Sequence, residues 1–233
     1  MTLQNIQATR PVHVGDKLLK EDAARYALLR RIAPALRHHM AGSFQPIGMV
    51  SAIMERRLQA AEPDLAVLRE NGKSISTLSR SAANACMNLV TWIAPKENVV
   101  VSLKTGVEEC VGMLVTDLAF RGFTLVNHIS SPDLATSASA LRTVFTSALI
   151  ALTDSAPAPA SVVFSSETVD DEIRVCITVG SADDAVHSDD PGCYRQLRWD
   201  DVQALAAAEQ VGLSHGADRV DMRFSRAEPA DTV

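Results

Sequence analysis

The chain has 233 residues, of which 47% are apolar, and this length and composition suit one large domain or two small ones with a buried core. Lysine and arginine number 22 against 28 aspartates and glutamates, and aromatic residues make up only 4%, so a nucleic-acid partner is not expected. No run approaches the roughly 20 consecutive apolar residues that span a bilayer, and residues 1–15 lack the apolar centre of a signal peptide. We therefore expect a cytoplasmic protein with no membrane partner.

The four cysteines suggest no special chemistry. Cys86, Cys110, Cys176 and Cys193 lie far apart and show no paired spacing, so neither a zinc site nor a disulfide framework is predicted. Reduced and mostly buried thiols are expected.

Residues 21–95 are predicted to form a long helical hairpin. From residue 21 to about residue 61, apolar side chains recur at three- and four-residue steps along one face. Pro34 and Pro46 lie inside this helix, and bends are expected near both because each proline removes a backbone donor and clashes with the preceding turn. An interruption at residues 62–64 separates this helix from a second helical pattern, which completes the hairpin.

The predicted hairpin is too thin to bury its own apolar residues. Two amphipathic helices leave one broad apolar side uncovered. A homodimer, in which two hairpins form a four-helix bundle, would cover that side. Ala82, Ala83 and Ala85 either allow helices to approach closely or serve simply as good helix formers.

A different pattern follows in residues 96–225, where short apolar runs alternate with helical periodicity. The polar stretch 180–192 is predicted to be a loop, and residues 1–20 and 226–233 are predicted to be a flexible N-terminus and a tail. The predicted fold class is α+β, with a long antiparallel helical hairpin followed by an α/β sandwich. Strands are predicted at residues 99–103, 123–129, 161–166, 171–179 and 218–224, and helices at residues 106–121, 139–154 and 199–211.

Residues 37–49, which read Arg-His-His-Met-Ala-Gly-Ser-Phe-Gln-Pro-Ile-Gly-Met, resemble the phosphoacceptor box of two-component histidine kinases. The resemblance places His38 on the phosphorylated histidine, Phe44 on a buried leucine, and Pro46 on the proline of the box. The sequence departs from the family at two points. His39 stands where the family has an acidic residue, and Ala41-Gly42 stands where the closest variant has two asparagines.

Helix geometry supports His38 as the acceptor independently of the resemblance. If Leu36 and Met40 face the packed interior, His38 is turned roughly 200° away from Leu36 and faces solvent, at about 100° per residue. His39 is then placed at the edge of the packed seam, as an orienting neighbour or an alternative acceptor. A metal site is not expected, because neighbouring residues on a helix point about 100° apart and no third ligand is evident. The plain alternative is a pair of surface histidines without chemistry.

The second half resembles the ATP-binding catalytic domain of the same kinases, most strongly at residues 141–152. Ser147 and Ala151 occupy the positions of two asparagines, and the second asparagine ligates magnesium in the family. An alanine methyl group cannot coordinate a hard cation. The Asp-x-Gly-x-Gly box and the glycine-rich lid of the family are also missing, so we expect a degenerate domain without ATP or any other cofactor of its own.

The resemblance leaves three functional hypotheses. The first is a phosphorelay, in which His38 takes a phosphoryl group from one response-regulator receiver domain and passes it to another, with magnesium supplied by the receiver. The second is a divergent ATP-dependent kinase that uses residues such as Asp183 or Asp184. The third is a non-catalytic scaffold that binds a receiver. Arg56-Arg57 either contacts an acidic receiver rim or forms an ordinary solvated face.

Overall fold

The computed structural model describes residues 14–94, 96, 98–130, 133–186 and 195–227. Helices α1 (Val14–Leu58) and α2 (Leu65–Ile93) pack against each other as the predicted hairpin. The Asp64 carboxylate starts α2 by accepting hydrogen bonds from the backbone N–H groups of the first turn, at 2.9 and 3.2 Å. Helix α1 begins at Val14 and is continuous through both of its prolines, so the predicted flexible N-terminus is wrong from residue 14 onward.

The elements that follow in the described part of the chain are β1 (Val100–Ser102), α3 (Leu103–Phe120), β2 (Phe123–Asn127), β3 (Ala135–Ser137), α4 (Ala138–Ala140), a π-helical turn (Leu141–Phe145), α5 (Thr146–Ser155), β4 (Ala158–Val169), β5 (Glu172–Val186), α6 (Trp199–Ala208), β6 (Gly212–His215) and β7 (Arg219–Ser225). Strands β1 and β3 form an antiparallel two-stranded sheet, and the other strands form a five-stranded sheet in the order β2-β4-β5-β7-β6. Strand β2 is parallel to β4, and all other neighbours in the larger sheet are antiparallel. The predicted α+β class is confirmed.

Strand β5 continues well beyond the predicted end at residue 179. Gly180 and Ser181 pair with β4, and Val186 pairs with Ala158 after a register shift. The predicted loop at 180–192 is therefore wrong as far as residue 186, because backbone pairing with β4 outweighs the polar composition. The remainder of that predicted loop, residues 187–192, lies outside the described residues.

One face of the larger sheet is apolar and packs against the helices. Val162 and Phe164 of β4, Ile177 of β5 and Met222 of β7 are all fully buried, whereas residues between them on each strand are less buried or exposed. This alternation gives the sheet one core-facing side. Helices α3, α5 and α6 cover it and share a single hydrophobic core with it.

The first half of α1 belongs to that same core. Ala24, Ala27, Leu28 and Ile32 are buried among residues of α3, α5 and α6. The hairpin at 21–95 and the sheet domain at 96–225 were predicted as separate domains. In the structure they are joined by packed apolar contacts.

Three ion pairs lie around the joined region. Arg25 Nη2 of α1 lies 2.9 Å from Glu209 Oε1 at the end of α6. Arg31 Nη2 of α1 lies 3.2 Å from Asp154 Oδ1 at the end of α5, and Arg121 Nη1, at the end of α3, lies 2.9 Å from the same oxygen. The Arg25 and Arg31 pairs link α1 to α6 and α5.

Gly106 marks a close approach between α3 and the π-helical turn. A Cβ atom at this position would lie 2.6 Å from Leu141 Cδ1 and 3.0 Å from Val101 Cγ1. We expect Gly106→Ala to lower the free energy of unfolding by about 1–3 kcal/mol through overpacking. Gly112→Ala on the same helix is the matched control, because a Cβ there meets nothing within 4 Å. Urea denaturation of both variants checks this, and equal stabilities would contradict it.

Candidate phosphoacceptor site

His38 lies on α1 and is exposed to solvent. His39 is also exposed, and does not lie in a packed seam within one chain. The two imidazole centroids are 6.3 Å apart with planes at 76°. Within the described part of the chain, no hydrogen bond or ion pair is found to either ring. An exposed imidazole of this kind is accessible to a partner protein, and one of its nitrogens is free to act as a nucleophile when neutral.

The position of His38 is fixed by the packing of α1 on the sheet domain. Ile32, with 1% of its surface exposed, is the last buried residue of α1. His38 follows it by six residues, which is about 9 Å along a helix axis. The acceptor candidate therefore lies just past the junction between the hairpin and the sheet domain.

An exposed surface continues from His38 along the same face of α1. Residues four, seven and eleven positions later share this face, and they are Gly42, Gln45 and Met49, all exposed. Met49 is 62% exposed, and Ile53, one turn further on, is 42% exposed. This surface, the His38 face, combines the imidazole with an apolar strip.

A second apolar strip lies on the opposite side of α1. Met40, Phe44 and Leu58 fall on one face, and they are 41%, 48% and 53% exposed. Phe44 is thus half exposed in the single chain, although the resemblance placed it on a buried leucine. Helix α2 adds the exposed Met87 and Val90.

The two positions that the resemblance matched to asparagines of the kinase family are buried. Ser147 and Ala151 are fully buried within α5. The Ser147 hydroxyl donates a hydrogen bond to the Val144 carbonyl oxygen at 3.1 Å, so its donor is used inside the helical run that contains both residues. Asp183 and Asp184 lie on strand β5. No cluster of three or more metal-ligating side chains occurs among the residues that the structure describes.

The described cysteines mostly follow the sequence expectation. Cys110 and Cys176 are buried and Cys86 is partly buried, and none of these three forms a disulfide. Burial raises the pKa of the Cys110 thiol to about 12, which keeps it protonated. Cys193 lies outside the described residues.

Sequence reasoning missed the charged residues at the junction. Asp154 is a charged residue at the end of a strongly apolar helix, and its side chain is only 10% exposed because Arg31 and Arg121 surround it. An isolated carboxylate beside a long apolar run was the one available signal, since such groups are rarely buried without a partner.

In the described parts of the chain, no helix is long and apolar enough to cross a bilayer.

Comparisons with known proteins give histidine kinases among solved structures. No protein-family model matches the chain, and no curated protein matches it. It is similar to the Acinetobacter baumannii histidine kinase AdeS, with 16% identity and a TM-score of 0.43 over 76% of this chain and 94% of that chain. A histidine kinase from Burkholderia phymatum gives 12% identity and a TM-score of 0.41, over 85% of this chain and 99% of that one.

A third similar structure is the histidine kinase ThkA, in complex with the response regulator protein TrrA. It has 13% identity and a TM-score of 0.38, over 96% of this chain and 70% of that chain. At these identities and TM-scores the similarity assigns neither a family nor an activity to the chain.

Proposed function

We propose that the chain is a histidine-containing phosphotransfer protein of a two-component phosphorelay. His38 accepts a phosphoryl group from the aspartyl phosphate of one receiver domain and passes it to the aspartate of another. The observation that supports this most directly is an exposed imidazole at position 38 beside a kinase-like domain whose Ser147 and Ala151 are buried.

The transfer needs only the imidazole and the two receivers. A neutral imidazole nitrogen attacks the phosphorus of the acyl phosphate, a P–N bond forms, and the P–O bond to the aspartate breaks. Magnesium, which stabilises the phosphoryl oxygens, is expected on the receiver and not on this chain.

Receiver docking is proposed for the His38 face. Met49 and Ile53 give an apolar strip on the same side as the acceptor, and Arg56 follows eighteen positions after His38 on that side. An apolar strip with a terminal cation suits an acidic partner that has an apolar contact helix. Arg56 contributes here to docking and has no part in the chemistry.

The packed junction supports the relay over the kinase hypothesis. An ATP-dependent kinase must bring its nucleotide to the acceptor imidazole. In this chain α1 packs into the core of the sheet domain through Leu28 and Ile32, so a swing of that domain toward His38 would have to break these buried contacts. The scaffold hypothesis draws its support from His39, which cannot orient an imidazole as an acidic neighbour does.

A transfer assay separates the three hypotheses. A receiver domain carrying a radiolabelled aspartyl phosphate is mixed with the full chain and magnesium, without nucleotide. Label that moves to the chain within minutes supports the relay. No label despite measurable receiver binding contradicts the relay and supports the scaffold, and label acquired from radiolabelled ATP alone supports the kinase.

Homodimerisation through the second apolar strip is part of the proposal. We expect the wild-type chain to elute as a dimer, because Met40, Phe44 and Leu58 otherwise remain exposed. Phe44→Lys is expected to shift the mass to that of a monomer, since it places a charge at the centre of the strip. Met49→Lys, on the opposite side of the same helix, is the matched control and should stay dimeric. Light scattering after size-exclusion chromatography measures both, and a dimeric Phe44→Lys protein would contradict the assignment.

A further inference from the structure

A cavity of about 620 Å³ lies at the junction between the hairpin and the sheet domain. Its walls come from α1, from the end of α2 with the following linker, from the start of the helical run at residues 138–155, and from the end of α6. This volume is typical of cavities that hold small organic ligands. A molecule in this junction cavity would contact both halves of the protein.

Three cationic side chains line the junction cavity, Arg25, Lys96 and Arg142, and Glu209 is the one carboxylate among its lining residues. Two further carboxylates pair with the arginines from outside the lining, because Glu21 Oε1 lies 3.0 Å from Arg25 Nε and Glu109 Oε1 lies 3.0 Å from Arg142 Nη2. Lys96 is therefore the lining cation without a carboxylate partner among the described residues. Glu209 is already occupied, because Arg25 Nη2 and Ser139 Oγ both donate to its Oε1 at 2.9 Å.

The two arginines are held in place but keep unused donors. Arg142 Nη2 contacts both Glu109 oxygens at 3.0 Å, and its guanidinium lies 5.9 Å from the Trp92 ring centroid. A guanidinium has five N–H donors. Arg142 Nε is shielded from solvent and has no hydrogen-bond partner among the described residues. Lys96 forms no ion pair with any described residue and is exposed.

Hydroxyl groups and apolar side chains complete the wall. Ser137, Ser139 and Thr143 line the cavity beside the arginines, and Leu28 and Ile32 line its α1 side. Forked guanidinium donors and hydroxyls suit the oxygens of a phosphate group. The apolar side chains suit the organic part of the same molecule.

We propose that the junction cavity binds a small phosphate ester. The phosphate group is held by Lys96 and by the unused donors of Arg142, and the organic part of the ligand contacts Leu28 and Ile32. Bound ligand therefore contacts both α1 and the sheet domain and adds to the packed contacts at their junction. The site is separate from the acceptor and from Ser147 and Ala151, and it does not depend on phosphotransfer by His38.

Calorimetric titration of the full chain tests this site, with glycerol 3-phosphate and pyrophosphate as probes and citrate as a non-phosphate anion at equal ionic strength. We expect saturable binding of the phosphate probes and a rise in the melting temperature. Arg142→Gln is expected to weaken binding about tenfold, which corresponds to about 1.4 kcal/mol for a charge-assisted hydrogen bond.

Two lysine variants keep the test informative if Arg142→Gln does not fold. Lys96→Gln should weaken binding, because the side chain is exposed and lines the cavity. Lys104→Gln, an exposed lysine outside the cavity, should bind as the wild type does. The proposal is overturned if the phosphate probes do not bind saturably at 25 °C, if citrate binds equally well, or if Lys96→Gln and Lys104→Gln bind alike.

Discussion

Replacing His38 with glutamine is expected to reduce phosphoryl transfer from a labelled receiver to background, whereas His39→Gln should retain it. The expected difference comes from position, because His38 shares its face of α1 with the exposed Met49 and Ile53, while His39 is turned about 100° away from that face. Glutamine keeps much of the size and polarity of histidine but offers no nucleophilic nitrogen. Both side chains are exposed, so the free energy of unfolding should change by less than about 0.5 kcal/mol in either variant.

The assay compares four proteins: wild type, both single variants and the double variant. Circular dichroism and a thermal melt confirm that each is folded. Label retained by His38→Gln but lost in His39→Gln would move the acceptor to His39. Label lost equally in both single variants would indicate that the two imidazoles act together, and it would contradict the assignment to His38 alone.

Asp154→Ala is expected to lower the free energy of unfolding by about 1–3 kcal/mol, because it removes the more buried and closer of the two carboxylates that Arg31 and Arg121 share. The Asp154 side chain is 10% exposed and lies within 3.2 Å of Arg31 and 2.9 Å of Arg121. Asp117→Ala is the matched control. That carboxylate is 47% exposed and lies 3.6 and 3.9 Å from the same arginines, so its loss should cost less than about 1 kcal/mol.

Urea denaturation at pH 7, followed by tryptophan fluorescence and by circular dichroism, measures both variants. Because α1 shares the core of the sheet domain, we expect the two probes to report one coincident transition. Similar destabilisation by Asp154→Ala and Asp117→Ala would contradict the role given to the buried carboxylate. Two separate transitions in the wild type would contradict the shared core.

The helical hairpin could be predicted because its signals are local. Both helices carry long three- and four-residue periodicity, and the residues at 62–64 mark the turn, where Asp64 caps the second helix. The pairing of β4 with β5 was also predictable, since two apolar runs flank a short polar turn. Strands β3 and β6 were missed because they are short and, unlike the Val-Val run of β1, contain few of the β-branched and aromatic residues that are typical of strands.

The contact between α1 and the sheet domain could not be predicted from local pattern. Ala24, Leu28 and Ile32 continue the same spacing that Leu36 and Ser43 follow further along the hairpin. One apolar stripe is therefore covered by different elements along its length, first by α3 and α6 of the sheet domain and then by α2. Periodicity indicates that a helix face is buried, but it does not indicate which element of the fold covers that face. The solvent exposure of His38 could be predicted from helix geometry, whereas the charged cluster around Asp154 depends on Arg31, which lies 123 residues away in sequence.

Because α1 is one continuous helix, the direction in which His38 points depends on the number of residues between it and Ile32. No loop separates these two residues, and Ile32 is held in the core shared with the sheet domain. One residue inserted between them would rotate the imidazole by about 100° and advance it by about 1.5 Å, bringing it to where His39 now stands. Seven inserted residues would nearly restore its facing but would carry it about 10 Å further from the junction. The spacing between residues 32 and 38 is therefore as much a part of the candidate site as the histidine itself.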